Sequence, residues 1–238
     1  MALGSQPRWT MQSTGAQVGI DVGLRDYMLR VYNYMASGLA LTGIVAFVAA
    51  HTGFIAQIYN TPLMWLVMLA PLGLVMLMSF GVQRMQASTM QLVFWIYAGL
   101  MGLSLATIFL VFTGTSIARV FFITAGTFAG MSFYGYTTRR DLSQFGSFLF
   151  MGLIGIIIAS LVNIFIGSTA LQFAISVIGV LVFTGLTAYD TQQIKEMYYA
   201  GDGSEIAGKK AIMGALRLYL DFINLFMMLM QLFGTRRN

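Results

Sequence analysis

The sequence predicts an all-α protein that crosses a membrane seven times. Its composition is 58% hydrophobic and only 9% charged, with a mean hydropathy of +0.79, whereas soluble domains are about 25% charged. It contains seven apolar runs, each long enough to span a hydrocarbon core of about 30 Å, which takes roughly 17–25 residues. These runs leave no length for a separate soluble domain, so we expect a single membrane-embedded unit.

The seven predicted spans follow one another closely along the chain. They cover residues 28–50, 62–80, 90–112, 117–136, 145–166, 171–189 and 211–233. The fourth includes Arg119 near its start, from where a long side chain can reach the headgroups. The one long link, residues 191–210, is polar and has a Gly-Asp-Gly turn. We therefore expect a mobile cytoplasmic tail (1–27), a seven-helix transmembrane domain (28–233) and a short C-terminal tail (234–238).

The basic residues predict a cytoplasmic N-terminus, because cytoplasmic loops carry an excess of Lys and Arg. With that orientation the cytoplasmic segments hold nine of the 13 basic residues: Arg8, Arg25, Arg30, Arg84, Arg139, Arg140, Lys195, Lys209 and Lys210. The links around His51 and around residues 167–168 hold none. Arg236 and Arg237 run against the rule, so either the tail is a local exception or the last segment does not cross fully.

The residue inventory excludes several kinds of site. The chain has no cysteine, so it has no disulfide, thiolate metal site or cysteine nucleophile. His51 is the only histidine, which rules out a histidine-based metal cluster, and we expect no bound cofactor. The net charge of +5 is spread over the loops. It indicates contact with a lipid bilayer that has anionic headgroups, and it does not indicate nucleic-acid binding.

Two aspartates lie where a membrane protein tolerates them least. Asp190 ends the sixth apolar run, and Asp221 lies inside the seventh, near the midplane of the bilayer. A lone acid at bilayer depth costs roughly 2.5–3.5 kcal/mol on insertion scales, so such residues are functional candidates by default. Because they lie on consecutive helices, we expect the two carboxyl groups to meet.

The seventh span has a polar stripe. Arg217, Asp221, Asn224 and Gln231 recur every three, four or seven residues, so they share one helical face. Such a face is expected to point into the bundle or a water-filled cavity. A simpler interpretation is that Arg217 and Asp221 neutralise each other one turn apart. Arg84, just after the second span, is either a plain interfacial anchor or the cation for both aspartates.

Small and polar residues within other spans predict helix packing. Gly126 and Gly130 form a GxxxG motif, which favours close approach of two helices. Asn33 and Asn163 are polar residues within spans, where we expect hydrogen bonds between helices.

Longer strings of the chain resemble the Bax inhibitor-1 family, also called the transmembrane Bax inhibitor motif family, and its bacterial members. The most specific are AYDTQQIK at 188–195 and LYLDFINLF at 218–226. YTTRRDLSQFGSFLFMGLIGIII at 136–158 and YMLRVYNYMASGLALTG at 27–43 add to them, and the resemblance covers all seven spans.

The resemblance implies six helices around a central seventh, in a bacterial inner membrane. It also implies an aspartate pair near the cytoplasmic side that gates a pH-sensitive calcium leak, with calcium held only transiently. The pair corresponds to Asp190 and Asp221, and the basic residue that holds the closed state corresponds to Arg84. Arg217 departs from the family pattern, in which a small or apolar residue is more typical. It could keep Asp221 ionised or disfavour calcium, so we expect Arg217, together with Asn224, to modulate the site.

Three classes of function remain open from the sequence. The first is the pH-sensitive cation leak, since two adjacent carboxyl groups cannot both ionise cheaply and would share a proton. The second is an intramembrane aspartyl protease, although Asp221 lacks the glycine-flanked context of such enzymes, and we expect no enzyme. The third is a non-conducting modulator of a membrane protease or of cell-survival machinery. A retinal protein is excluded because the last span has no lysine, and a rhomboid protease because its GxSG motif is missing.

Overall fold

The computed structural model describes residues 22–58 and 61–237. Within these ranges the chain is helical apart from links and one isolated bridge. The helices are α1 (Val22–His51), α2 (Phe54–Ile58), α3 (Pro62–Gly81), α4 (Ala87–Leu105), α5 (Ile108–Val111), α6 (Gly114–Thr137), α7 (Ser143–Ile166), α8 (Thr169–Glu196) and α9 (Ser204–Phe233). With α4 and α5 counted as one span, seven helical segments of the described chain are long and apolar enough to cross a membrane, which confirms the predicted fold class.

Two predicted boundaries differ from the structure. Helix α1 begins at Val22, so the last part of the expected tail is helical, while residues 1–21 lie outside the described ranges. The polar link predicted at 191–210 shrinks to 197–203, because α8 and α9 both continue past their apolar runs. Glu205 stabilises the first turn of α9 through the helix dipole and pairs with Lys209 at 3.4 Å.

The central helix of the described bundle is α9. It packs against α1, α4, α6 and α8, and 67% of its most apolar stretch is buried, compared with 6–33% for the other spans. Its inward side chains, among them Leu218, Tyr219 and Leu225, are completely enclosed. By contrast, α3 packs mainly on α4 and α7 mainly on α8. These two outer helices therefore leave one side of α9 without close cover.

The link between α7 and α8 is a tight turn made by two residues. Gly167 ends α7 in the left-handed conformation, with φ +65°, which glycine adopts without strain. Ser168 then caps α8, because its hydroxyl accepts a hydrogen bond from the Leu171 N–H at 3.2 Å. The turn places the first turn of α8 beside the last turn of α9.

The C-terminal tail is tied to the link between α5 and α6. The Thr113 N–H donates to the Thr235 carbonyl at 2.9 Å, and the Arg237 N–H donates to the Val111 carbonyl at 2.8 Å. This link is near the end of α1, since the rings of Phe109 and His51 are 6.3 Å apart. Arg236 and Arg237 thus lie on the face opposite the α8–α9 link, as seven crossings require.

Helices α6 and α8 approach each other closely at Gly135. The close approach predicted at Gly126 and Gly130 is wrong. A Cβ on Gly126 or Gly130 would meet nothing within 4 Å, whereas one on Gly135 would be 2.9 Å from the Ala188 Cα.

Because that obstacle is backbone, Gly135→Ala should destabilise the protein by about 1–3 kcal/mol. Thermal unfolding in detergent measures this against Gly130→Ala on the same helix. Equal midpoints for the two variants would contradict the close contact.

Candidate functional site

The antiparallel contact of α8 and α9 brings Asp190 and Asp221 together. Asp221 is only 5% exposed, and Asp190 is partly buried beside it. Both side chains line the same cavity, and their carboxyl groups are close enough to interact electrostatically. Two carboxyl groups so close together can share one proton, because a protonated carboxyl group donates the hydrogen bond that an ionised one accepts. Asp190 and Asp221 are therefore neighbours in the structure, while their role as a gate stays a prediction.

One oxygen of the pair has no other protein partner within the described chain. Asp221 Oδ2 is buried and accepts no hydrogen bond from these residues. A buried, unpaired polar atom costs roughly 1–3 kcal/mol. Protonation of the carboxyl group would lower this cost, because a neutral group is cheaper to bury than a charged one.

The pair opens into a cavity of about 550 Å³ between α7, α8 and α9, which we call the aspartate cleft. It exists because α7 packs on α8 rather than on α9. The cleft is lined by Gly146, Ser147, Phe150 and Leu153 of α7, by Phe183, Leu186, Tyr189 and Asp190 of α8, and by Arg217, Leu220, Asp221 and Asn224 of α9. A Cβ on Gly146 would lie 2.6 Å from the Tyr189 ring, so glycine there allows Tyr189 to pack against α7.

Arg217 is the cation that the described structure places with the aspartates. It lines the cleft, is exposed, and interacts electrostatically with both carboxyl groups. The ion pairs of the described chain join Lys209 to Glu205 and Lys210 to Asp202, and neither involves Arg217. Arg217 and Asp221 therefore do not form the simple contact pair that one turn of spacing allows.

Arg84 lies elsewhere. Its side chain is exposed in the turn between α3 and α4, where the Arg84 backbone N–H donates to the Gly81 carbonyl at 2.9 Å. It forms no ion pair with either aspartate in the described chain, because α3 packs on α4 and holds the turn away from the cleft. The expected contact is thus not formed in this arrangement, and its formation in a closed state stays a prediction.

Asn224 lines the cleft one turn beyond Asp221, and its side-chain N–H donates to the Leu220 carbonyl at 2.9 Å. Sequence reasoning missed Ser147, because nothing in an apolar run indicates which side faces a neighbouring helix. It also missed Gln172 and Ser176 at the other end of α8. Their spacing of one turn could have indicated a polar face.

The site offers few metal ligands. No group of three or more His, Cys, Asp or Glu side chains that could hold a metal occurs among residues 22–58 and 61–237. Ca²⁺ takes about 6–8 oxygen ligands, and two carboxyl groups with Asn224 supply only part of that set. Water would have to supply the rest of the ligands for any ion at this place.

Comparison with known proteins places this bundle in a family. The family model described as "Inhibitor of apoptosis-promoting Bax1" matches residues 24–238. An uncharacterized protein of Rickettsia prowazekii is 51% identical over 96% of this chain and 98% of its own length. The inner membrane protein YbhL of Escherichia coli K12 is 49% identical over 90% of this chain and 94% of its own. An uncharacterized membrane protein of Streptococcus pyogenes is 35% identical over 90% of this chain and 94% of its own length. This multi-pass membrane protein, with its paired aspartates on the last two helices, belongs to the Bax inhibitor-1 family.

Proposed function

We propose that this protein is a pH-sensitive cation leak channel, with calcium as the permeant ion and the Asp190–Asp221 pair as its gate. One observation carries the proposal: two neighbouring carboxyl groups, on two helices that are apolar and long enough to span a membrane, line a cavity large enough for a hydrated ion. Ionisable groups in such positions commonly mark ion pathways or proton relays. Oxygen ligands also favour calcium over softer metals.

The pair would respond to pH through its charge. Carrying one shared proton, it keeps a negative charge that attracts cations and holds an arginine by electrostatic attraction. A second proton removes that charge, and the attraction is lost as the pH falls. If the attraction maintains the closed state, acidification opens the pathway. Acidification opens the pathway, rather than closing it, because the carboxylate–arginine interaction exists only while a carboxylate is ionised.

We also infer a bacterial inner membrane location with a cytoplasmic N-terminus. The relative YbhL is named an inner membrane protein. In the described bundle, Arg25, Arg84, Arg140 and Lys195 lie towards one face, at the beginning of α1 and near the α3–α4, α6–α7 and α8–α9 links. A face rich in Lys and Arg is the cytoplasmic one in most membrane proteins.

Calcium entry into proteoliposomes tests the function directly. Vesicles containing the protein and a trapped calcium dye should show entry that rises as the external pH falls from about 8 to about 5, the range in which shifted acids act. Protein-free vesicles report background leak, and the double variant Asp190→Asn/Asp221→Asn should show no pH dependence. Absence of entry above background at every pH would reject the channel.

A second candidate is favoured by the same geometry. Two aspartates that share a proton could activate water for peptide hydrolysis inside the membrane. Against this, Leu220 and Phe222 flank Asp221 and leave less room for a substrate backbone than glycine would. Incubation of the same vesicles with a transmembrane peptide distinguishes the two. Cleavage that is lost in Asp221→Asn would establish the protease.

A further inference from the structure

The contact between α8 and α9, which we call the seam, carries a second polar site beyond the aspartate cleft. On α9 the residues that face the seam recur every three or four positions: Arg217, Asp221, Asn224, Met228 and Gln231. On α8 the facing positions are spaced by seven, four, three and four residues, so they also share one face: Asp190, Phe183, Gly179, Ser176 and Gln172. Both series are polar at their ends and apolar in the middle.

The second polar site is a set of amides, the outer amide cluster of Asn163, Gln172 and Gln231. Gln231 Oε1 accepts hydrogen bonds from Ser176 Oγ at 3.0 Å and from Gln172 Nε2. Gln172 Oε1 accepts one from Asn163 Nδ2 at 3.1 Å. The cluster lies in the last turn of α7, the first turn of α8 and the last turn of α9, on the C-terminal face, and Gln231 is exposed there.

Met228 separates the two polar sites. It takes the only apolar position of its stripe, about one turn from Asn224 on one side and from Gln231 on the other. It packs directly on Gly179 of α8, where an added Cβ would be 2.8 Å from Cγ and Sδ of Met228. Asp221 and Gln231 are roughly 15 Å apart along the helix axis, at about 1.5 Å per residue. Along the seam, the polar aspartate cleft is therefore followed by an apolar position and then by the polar outer amide cluster, over about half the depth of a membrane.

We propose that Met228, packed on Gly179, is the constriction of an ion pathway that follows the seam from the aspartate cleft to the outer amide cluster. The inference rests on the proposed function, since a constriction matters only where something passes. Apolar constrictions exclude ions by excluding water. Methionine suits the role because its side chain is unbranched and changes rotamer easily. Glycine opposite leaves room for the thioether in one rotamer and for water in another.

Cysteine accessibility tests the constriction without relying on ion flux. The chain has no cysteine, so Asn224→Cys introduces a single thiol on the cleft side of Met228. A membrane-impermeant methanethiosulfonate should label it from the face that bears the α8–α9 link and not from the C-terminal face. Met228→Ala should allow labelling from both faces. Met227→Ala is the matched control, since it truncates a neighbouring, similarly half-buried methionine that is not in the polar stripe.

Calcium flux then links the constriction to conduction. Met228→Ala should raise calcium entry at acidic pH, where the aspartate gate is open and the constriction limits the flux, by roughly tenfold, the change produced by about 1.4 kcal/mol off a barrier. Met228→Leu, which conserves volume, should remain close to the unmodified protein. Protection of Asn224→Cys from the C-terminal face in the Met228→Ala background would overturn the constriction. New labelling without calcium entry at any pH would instead retain the constriction and overturn the calcium channel.

Discussion

Replacing both Asp190 and Asp221 with asparagine should abolish the pH dependence of the cation leak. Asparagine cannot ionise, so the double variant has no carboxylate at this site whose negative charge acidification could remove. At about pH 8 the variant should leak as the unmodified protein does at acidic pH, a rise of roughly tenfold or more, which corresponds to about 1.4 kcal/mol or more. The fold should tolerate the change, because a neutral amide is cheaper to bury than an unpaired carboxylate.

The measurement needs an ion that does not depend on the carboxylates for binding. Sodium or potassium leak from proteoliposomes meets this requirement, since the double variant also removes the carboxylates proposed to bind calcium. Asp141→Asn is the matched control. Asp141 is exposed outside the spans, and the Ser143 backbone N–H that donates to it holds the pKa of that carboxyl below its usual range. Asp141 therefore stays ionised between about pH 5 and 8. A pH response retained in Asp190→Asn/Asp221→Asn would assign the sensor to another group.

The aspartate contact could be predicted because its physical cause is local. An acid within an apolar run is costly wherever the run lies in the bilayer, so a second acid on the next helix is its natural partner. The central position of the last helix could be expected only through the resemblance to a family. Periodicity alone describes faces of one helix and does not say which neighbours cover them.

The glycines show that limit clearly. The GxxxG motif at Gly126 and Gly130 faces open space, while an isolated glycine, Gly135, touches the Ala188 backbone. A spacing motif records that two small residues share a face, but contact depends on which helix lies opposite. Similarly, Met228 was one methionine among many in the sequence. Its position between two polar sites becomes evident only when α8 is placed against α9.

Arg84 could not be placed from the sequence for a related reason. Its role depends on where α3 lies, and in this structure α3 packs on α4 and leaves Arg84 exposed. Arg217 lies on the same helix as Asp221, so its proximity follows from helix geometry alone. The two arginines therefore require separate experimental tests.

Replacing Arg217 with serine should move the midpoint of the flux–pH curve to higher pH. A nearby positive charge favours the ionised carboxylate, so without Arg217 the pair takes up its last proton at a higher pH. A shift on the order of one pH unit corresponds to about 1.4 kcal/mol. Flux–pH curves of the two proteins in the same vesicles give the midpoints. Arg140→Ser is the control, because Arg140 is an exposed cation that stacks over Phe145, 5.1 Å from the ring centroid, outside the cleft lining.

The companion variant Arg84→Ala identifies which cation holds the closed state. If α3 moves onto α9 when the channel closes, Arg84 reaches the aspartates, and its loss should raise the leak at neutral pH. We expect that rise, while the leak at acidic pH should stay unchanged because the attraction is already lost there. An unchanged leak in Arg84→Ala together with a shifted curve in Arg217→Ser would assign the closing interaction to Arg217, within α9 itself. A midpoint that moves to lower pH in Arg217→Ser would contradict gating by an aspartate pair whose charge an arginine stabilises.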